Sequence, residues 1–235
     1  MTLRWLIFFS ASAFPLCAAA VTGRVELRDS RYAMVRNHHD YSGVVIALTP
    51  VGNTATPGAV KHAVMLQKDK TFSPHVLAVQ AGSLVEFPNA DPIFHNAFSS
   101  YNGQVFDIGL YPPGTTRSVK FARPGVVRVF CNIHASMNAV IVVIASPYFA
   151  TTKTDGTFNI GEVPSGQYNL TVFHERASED TLAELSRKIT VGPGGASLPN
   201  IAISEAGYLS IPHKNKYGHD YPPDSGDPVY SGSKP

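Results

Sequence analysis

Cysteine is nearly missing from this chain. There are 2, and Cys17 lies in an N-terminal segment whose removal leaves Cys131 alone. That excludes a disulfide within the mature chain. A lone thiol in an oxidising compartment is a liability unless it is buried or bound. Long apolar runs are also scarce. After the first twenty residues none approaches the roughly 18 residues that a bilayer span needs, so no membrane span is expected. The first twenty read as a secretory signal: Arg4 is the positive start, Trp5 to Leu16 the apolar run, and Ala18-Ala19-Ala20 the small-residue cleavage site. Cleavage near Ala20, a mature start near Val21 and a periplasmic location follow. A lipid anchor at Cys17 is disfavoured by the bulky Leu16 before it. Excess charge is missing too: +2 for the whole chain, and +1 once Arg4 is subtracted. A nucleic-acid partner would want a basic face, so that class is excluded. Finally, no Gly-x-Ser-x-Gly, His-Glu-x-x-His or Cys-x-x-Cys-His occurs, and enzyme readings are left without a motif.

What is present is concentrated in one stretch. Cys131-Asn132-Ile133-His134-Ala135-Ser136-Met137 places thiolate, imidazole and thioether three residues apart, and Phe94-His95-Asn96 supplies a second imidazole upstream. Two His, one Cys and a weakly held Met form the ligand set of a blue-copper electron-transfer site. The expected metal ligands are therefore His95, Cys131, His134 and Met137, holding one copper ion that cycles between Cu(I) and Cu(II). Alternation along Val127, Arg128 and Val129 makes Cys131 continue an inward-facing row. No His-x-His repeat offers a second copper cluster, so the protein is expected not to be an enzyme.

From Val60 to Ala145 the chain resembles the cupredoxins, in particular the plastocyanin and amicyanin-like branch. The resemblance is carried by Phe72-Ser73-Pro74, Val79, Gly82, Val85-Glu86-Phe87, Asn89-Ala90-Asp91, Phe94-His95-Asn96 and Gly125 to Phe130 leading into Cys131. The Cys-x-x-His-x-x-Met spacing looks like the short amicyanin loop. Asn132 departs from relatives, which often carry a small hydroxyl residue there. By resemblance, Asn96 reaches across to the ligand loop and, with Asn132, stands behind the ligands. Partner docking is expected around the exposed edge of His134, at Ile133, Ala135 and Phe94, with Ala97 and Ile93 close by.

Short β-type runs separated by Gly, Pro and Asn recur along the chain, and long helical periodicity is nearly absent. Strands are expected at 63–66, 76–80, 83–87, 95–99, 105–108, 116–121, 126–130 and 139–145, enough for a sandwich. Ala139 to Ile144 is apolar without alternation, as in a strand covered on both faces. Residues 178–187 are expected to form a loop.

Beyond it, Thr154-Asp155-Gly156 and Val163-Pro164-Ser165-Gly166-Gln167-Tyr168 resemble the carboxypeptidase regulatory-like domain. That family's opening strands match Val21 to Val25 and Gly43 to Leu48. The expected fold class is all-β: a cupredoxin Greek-key sandwich over 60–146 and a smaller prealbumin-like sandwich. The second is discontinuous, built from 21–50 with 147–204, after a signal over 1–20. An irregular tail over 205–235 follows.

Three functions are open at this stage. The first is a one-electron carrier, monomeric, between periplasmic redox partner proteins. Proteins labelled for methylamine utilisation have a similar two-part layout. The second is a copper storage or delivery protein, with His38, His39, His213 and His219 as a loading surface. The third is a carbohydrate- or protein-binding sandwich, for which Tyr148, Phe149 and Phe158 are the candidate exposed aromatics and a core role is their alternative. His62 and His75 are expected to be structural or exposed, and His174 is given no role.

Overall fold

The computed structural model describes residues 19–52, 61–100, 103–210 and 212–221. The proposed signal falls outside these except at its end. Ala19 and Ala20 open the first strand, where buried Ala19 faces Val163, so cleavage after Ala20 would shorten that strand. In chain order, β1 (Ala19–Arg28), helix α1 (Ala33–His38) and β2 (Val45–Pro50) come first. Next come β3 (His62–Val64), β4 (Leu66–Lys68), β5 (Thr71–Ser73), β6 (Val76–Gln80) and β7 (Ser83–Pro88). They are followed by β8 (Phe98–Ser99), β9 (Phe106–Asp107), β10 (Thr116–Phe121), β11 (Gly125–Phe130) and β12 (Asn138–Ile144). The chain then adds β13 (Tyr148–Thr151), β14 (Thr157–Val163), β15 (Gly166–Phe173), helix α2 (Glu179–Leu185), β16 (Arg187–Val191), β17 (Ala196–Ser197) and β18 (Ile201–Ser204). The fold is all-β and of sandwich type.

In the middle of the chain, the sheet β10-β7-β3 faces the sheet β6-β12-β11-β8-β9. Between them lie Met65, Phe72, Val85, Phe87, Phe121, Val127, Val129, Cys131, Met137 and Ile141. The two ends of the chain build another pair of sheets. β1 lies between β14 and β17 with β18 also against it, and β13-β2-β15-β16 forms the opposing layer. Val25, Ile46, Leu48, Phe158, Tyr168, Leu170 and Ile203 fill the space between them. At the turn before β14, Gly156 has φ +80, and a Cβ there would collide with the Val25 carbonyl. Glycine is thus what lets the Asp-Gly turn close against β1.

β12 is buried on both faces, one in the first core and one in a separate seam against the outer face of the second sandwich. Ala139, Ile141 and Val143 point into the first. Val140, Val142 and Ile144 point the other way, onto Val45, Ala47, Phe149 and Phe173. A strand buried on both faces needs no polar alternation, and its sequence has none.

Several expectations need correction. Residues 179–185 are helical, not a loop: Ser178 caps α2 by accepting the Thr181 N–H, and Glu179 and Asp180 occupy the first turn, where the helix dipole favours acids. The expected strand over 95–99 is cut to Phe98–Ser99, with His95 only bridged to Tyr111. Tyr148 and Phe158 pack on one core and Phe149 in the seam, so they form no exposed aromatic strip.

Candidate metal centre

β11 delivers Cys131 to the end of the first sandwich. Val127, Val129 and Cys131 are all fully buried on one side while Arg128 is exposed, as the alternation requires. The chain then turns through 132–136 and re-enters the sheet at β12. Backbone bonds close this loop: the Cys131 N–H donates to the Met137 carbonyl at 3.0 Å and the Met137 N–H to His134 at 3.1 Å. Cys131 and Met137 thus sit side by side in the same core. His95 arrives from the segment between β7 and β8 and is fully buried; His134 is half-buried.

Cys131 Sγ lies 3.9 Å from His95 Nδ1 and 3.7 Å from His134 Nδ1. The three donor atoms fall within 4.8 Å of one another, and among the described residues no other trio of His, Cys, Asp or Glu does so. Metal–nitrogen bonds of about 2.0–2.1 Å and metal–sulfur bonds of about 2.3 Å, meeting at about 110–120°, separate N from S by about 3.6–3.8 Å. The spacing fits one ion. The donor types, two imidazoles and a soft thiolate beside a thioether, suit copper.

The Cys131 thiol is kept protonated by its surroundings. Burial pushes its pKa up, and the backbone N–H groups of Ile133, Asn96 and His134 pull it part of the way back. A metal bound here would displace that proton, and the same N–H groups would then stabilise the thiolate.

Asp91 fixes the His95 ring. Its Oδ2 is 2.7 Å from His95 Nε2, which leaves the Nδ1 lone pair facing the sulfur. Burial raises the Asp91 pKa, but the Lys70 N–H, His95 and the Asp69 N–H outweigh it and hold the carboxyl below its usual range. The two amides come from the β4–β5 turn, at 2.6 and 2.9 Å. In the sequence Asp91 stands out only within Asn89-Ala90-Asp91, as part of the cupredoxin resemblance. The available signal was a carboxylate four residues before a candidate ligand.

The remaining candidate residues are placed partly as expected and partly not. The Asn96 side chain donates to Asp107 at 2.7 Å and not to the ligand loop; only its backbone N–H serves the sulfur. Asn132 turns away from the sulfur and accepts the Lys216 N–H. Ala97 and Ile93 are buried and contribute no surface, and Ile133 leans inward on the core. Phe94 is 42% exposed and Ala135 is exposed, though the Ala135 carbonyl is taken by His213. His38 ends α1, His39 bonds Tyr41, and His62 bonds Glu86. His75 and His174 are tied to Glu175 and Glu205.

No protein-family model matches the chain, and no curated protein is similar to it in sequence. Solved structures do resemble it. A copper-containing nitrite reductase from Thermus scotoductus SA-01 is 24% identical, with a TM-score of 0.34 over 41% of this chain and 25% of that one. A purple cupredoxin from Nitrosopumilus maritimus is 22% identical, with a TM-score of 0.31 over 35% of this chain and 98% of its own. Amicyanin from Paracoccus versutus is 18% identical, with a TM-score of 0.33 over 42% and 96%. The likeness is one of fold.

Proposed function

We propose that this protein is an exported blue-copper protein that passes one electron between redox partners. The convergence of His95, Cys131 and His134 donor atoms within 4.8 Å, from two separate segments of a packed core, carries the reading. His95, Cys131, His134 and the weakly held Met137 would hold the ion, and the ion would supply the reversible one-electron couple. The chain's own task is rigidity. Asp91 holds one imidazole, three amides hold the sulfur, and the loop closes through its backbone, so little need move when charge changes. The half-buried His134 is the ligand nearest solvent, and its side is the one on which a partner would dock. The signal-like first twenty residues support export, and the lack of a second ligand cluster in the sequence supports a carrier over a catalyst. Among the described residues no helix is long and apolar enough to cross a membrane. We read the carrier as a monomer.

Adding Cu(II) to the purified protein and recording its visible spectrum tests the proposal. An intense thiolate-to-copper band that saturates at one ion per chain supports it. Colourless binding would favour storage or delivery, and no binding would refute both. Met137→Leu should keep the band and raise the reduction potential by on the order of 60 mV, the equivalent of a tenfold shift in preference toward the reduced ion. The oxidised ion, with the higher charge, loses more when an axial donor is removed. Loss of all copper binding in that variant would show Met137 to be more than an axial contact.

A further inference from the structure

Residues 212–221 form no strand or helix, yet they are bonded to the ligand cluster from two sides. On one side is the Cys131–Met137 loop. The His213 ring lies against Phe130 with centroids 4.0 Å apart, and its Nε2 is 2.9 Å from the Ala135 carbonyl. The Lys216 N–H donates to Asn132 Oδ1 at 3.0 Å, and the Tyr221 hydroxyl donates to the Cys131 carbonyl at 2.7 Å. The His213 and Tyr221 rings meet edge to face at 5.1 Å, so the stretch folds back on itself over the start of the loop. On the other side is the His95 segment. Lys216 Nζ reaches Asp107 Oδ2 at 2.8 Å, and Asp107 Oδ1 accepts from the Asn96 side chain. Asn96 follows His95, and its backbone N–H helps to hold the Cys131 sulfur.

We propose that residues 213–221 are a clasp that fixes the separation of the two ligand-bearing segments, His95–Asn96 and Cys131–Met137. Lys216 and Tyr221 are its positioning residues. Lys216 acts through Asp107 on Asn96, and Tyr221 acts directly on the Cys131 peptide. The purpose of the clasp rests on the copper reading; its existence rests on the contacts themselves. A seven-residue loop between strands, closed by two backbone bonds of its own, belongs to the part of a fold that opens locally. Opening would expose the chain's buried thiol to water and oxidants and let the ligands drift. Each hydrogen bond of the clasp shifts that opening equilibrium by about two- to tenfold. The exposed Lys216–Asp107 ion pair is the weaker link and the Tyr221–Cys131 bond the stronger one.

The test uses Tyr221→Phe, Lys216→Met and the double variant in the full chain. In metal-free protein, dithiobis-nitrobenzoate modification of Cys131, followed by mass on its peptide, should run about tenfold faster in the double variant. Amide exchange at Cys131 and Met137 should quicken in proportion, while the amides of β12 keep their wild-type rates. In copper-loaded protein, release to a chelator should accelerate by the same factor. Unchanged thiol and amide rates would overturn the clasp, whether or not copper binds. Equal acceleration across β12 would also overturn it, since the contacts would then act on global stability alone. Faster local rates in a protein that takes no copper would leave the clasp standing and remove the copper reading.

Discussion

Cys131→Ser should abolish the thiolate-to-copper band and weaken copper binding by on the order of a thousandfold, about 4 kcal/mol. A serine hydroxyl does not ionise near neutral pH, and a neutral oxygen is a poor replacement for the soft thiolate that makes the site selective. The fold should survive. Cys131 is fully buried, and a hydroxyl without partners there would cost about 1–3 kcal/mol. The N–H groups of Ile133, Asn96 and His134 already point at this position and can donate to the new oxygen. The net loss is then near the low end, and a melting temperature lowered by about 2–4 °C is expected. Visible spectroscopy, a competition titration against a chelator and a thermal melt read the three quantities. Survival of the band in the serine variant would refute thiolate ligation. A collapse of the melting temperature with no change in metal affinity would make Cys131 a core residue and nothing more.

The parts of this molecule that could be read from sequence are those in which local pattern and tertiary environment agree. Val127, Arg128 and Val129 alternate, so the side on which Cys131 falls was legible before any coordinates. The unbroken apolar run of β12 demanded a second covering layer, and the residues behind it are Val45, Ala47, Phe149 and Phe173. Failures came where a distant partner decides. His95 and Asn96 do not extend β8 as a regular strand, because Asp91 and Asp107 capture their side chains. The stretch from 212 to 221 has no periodicity, since it is held by local turns around Asn215 and by bonds to the distant ligand loop. No local pattern encodes such contacts. α2 is a different case: a serine cap and two acids in the first turn were visible, but seven residues with no buried face gave little periodic signal.

Glu205 should prove the most sensitive carboxylate of the scaffold, and Glu205→Gln the variant that reveals it. Its side chain is buried at the end of β18, where one oxygen lies 2.7 Å from His174 Nε2 and 2.9 Å from an Arg176 guanidinium nitrogen. Ser30 donates to the other oxygen. Burial raises the Glu205 pKa, but the bonds from His174, Arg176 and Ser30 overcome it and bring the value down to about 2 from 4.5. A group with a lowered folded-state pKa gives stability that is fully present above its unfolded value. Here that is above pH 4.5, and the contribution declines as pH falls toward about 2. The full contribution is about 3 kcal/mol. Replacing one partner of a buried pair costs about 3–5 kcal/mol, because the remaining charge is left unpaired. Arg176 also bonds Glu175, which in turn holds His75, whose other nitrogen reaches the carbonyl of Asn138 beside Met137. Loss of Glu205 therefore loosens one end of the second sandwich and the polar chain that links it to the ligand loop. Urea denaturation from pH 2 to pH 7 measures this. The stability difference between wild type and Glu205→Gln should be greatest near neutral pH and shrink below pH 4.5. A difference that stays constant with pH would show that the carboxylate is not the ionised partner of His174 and Arg176.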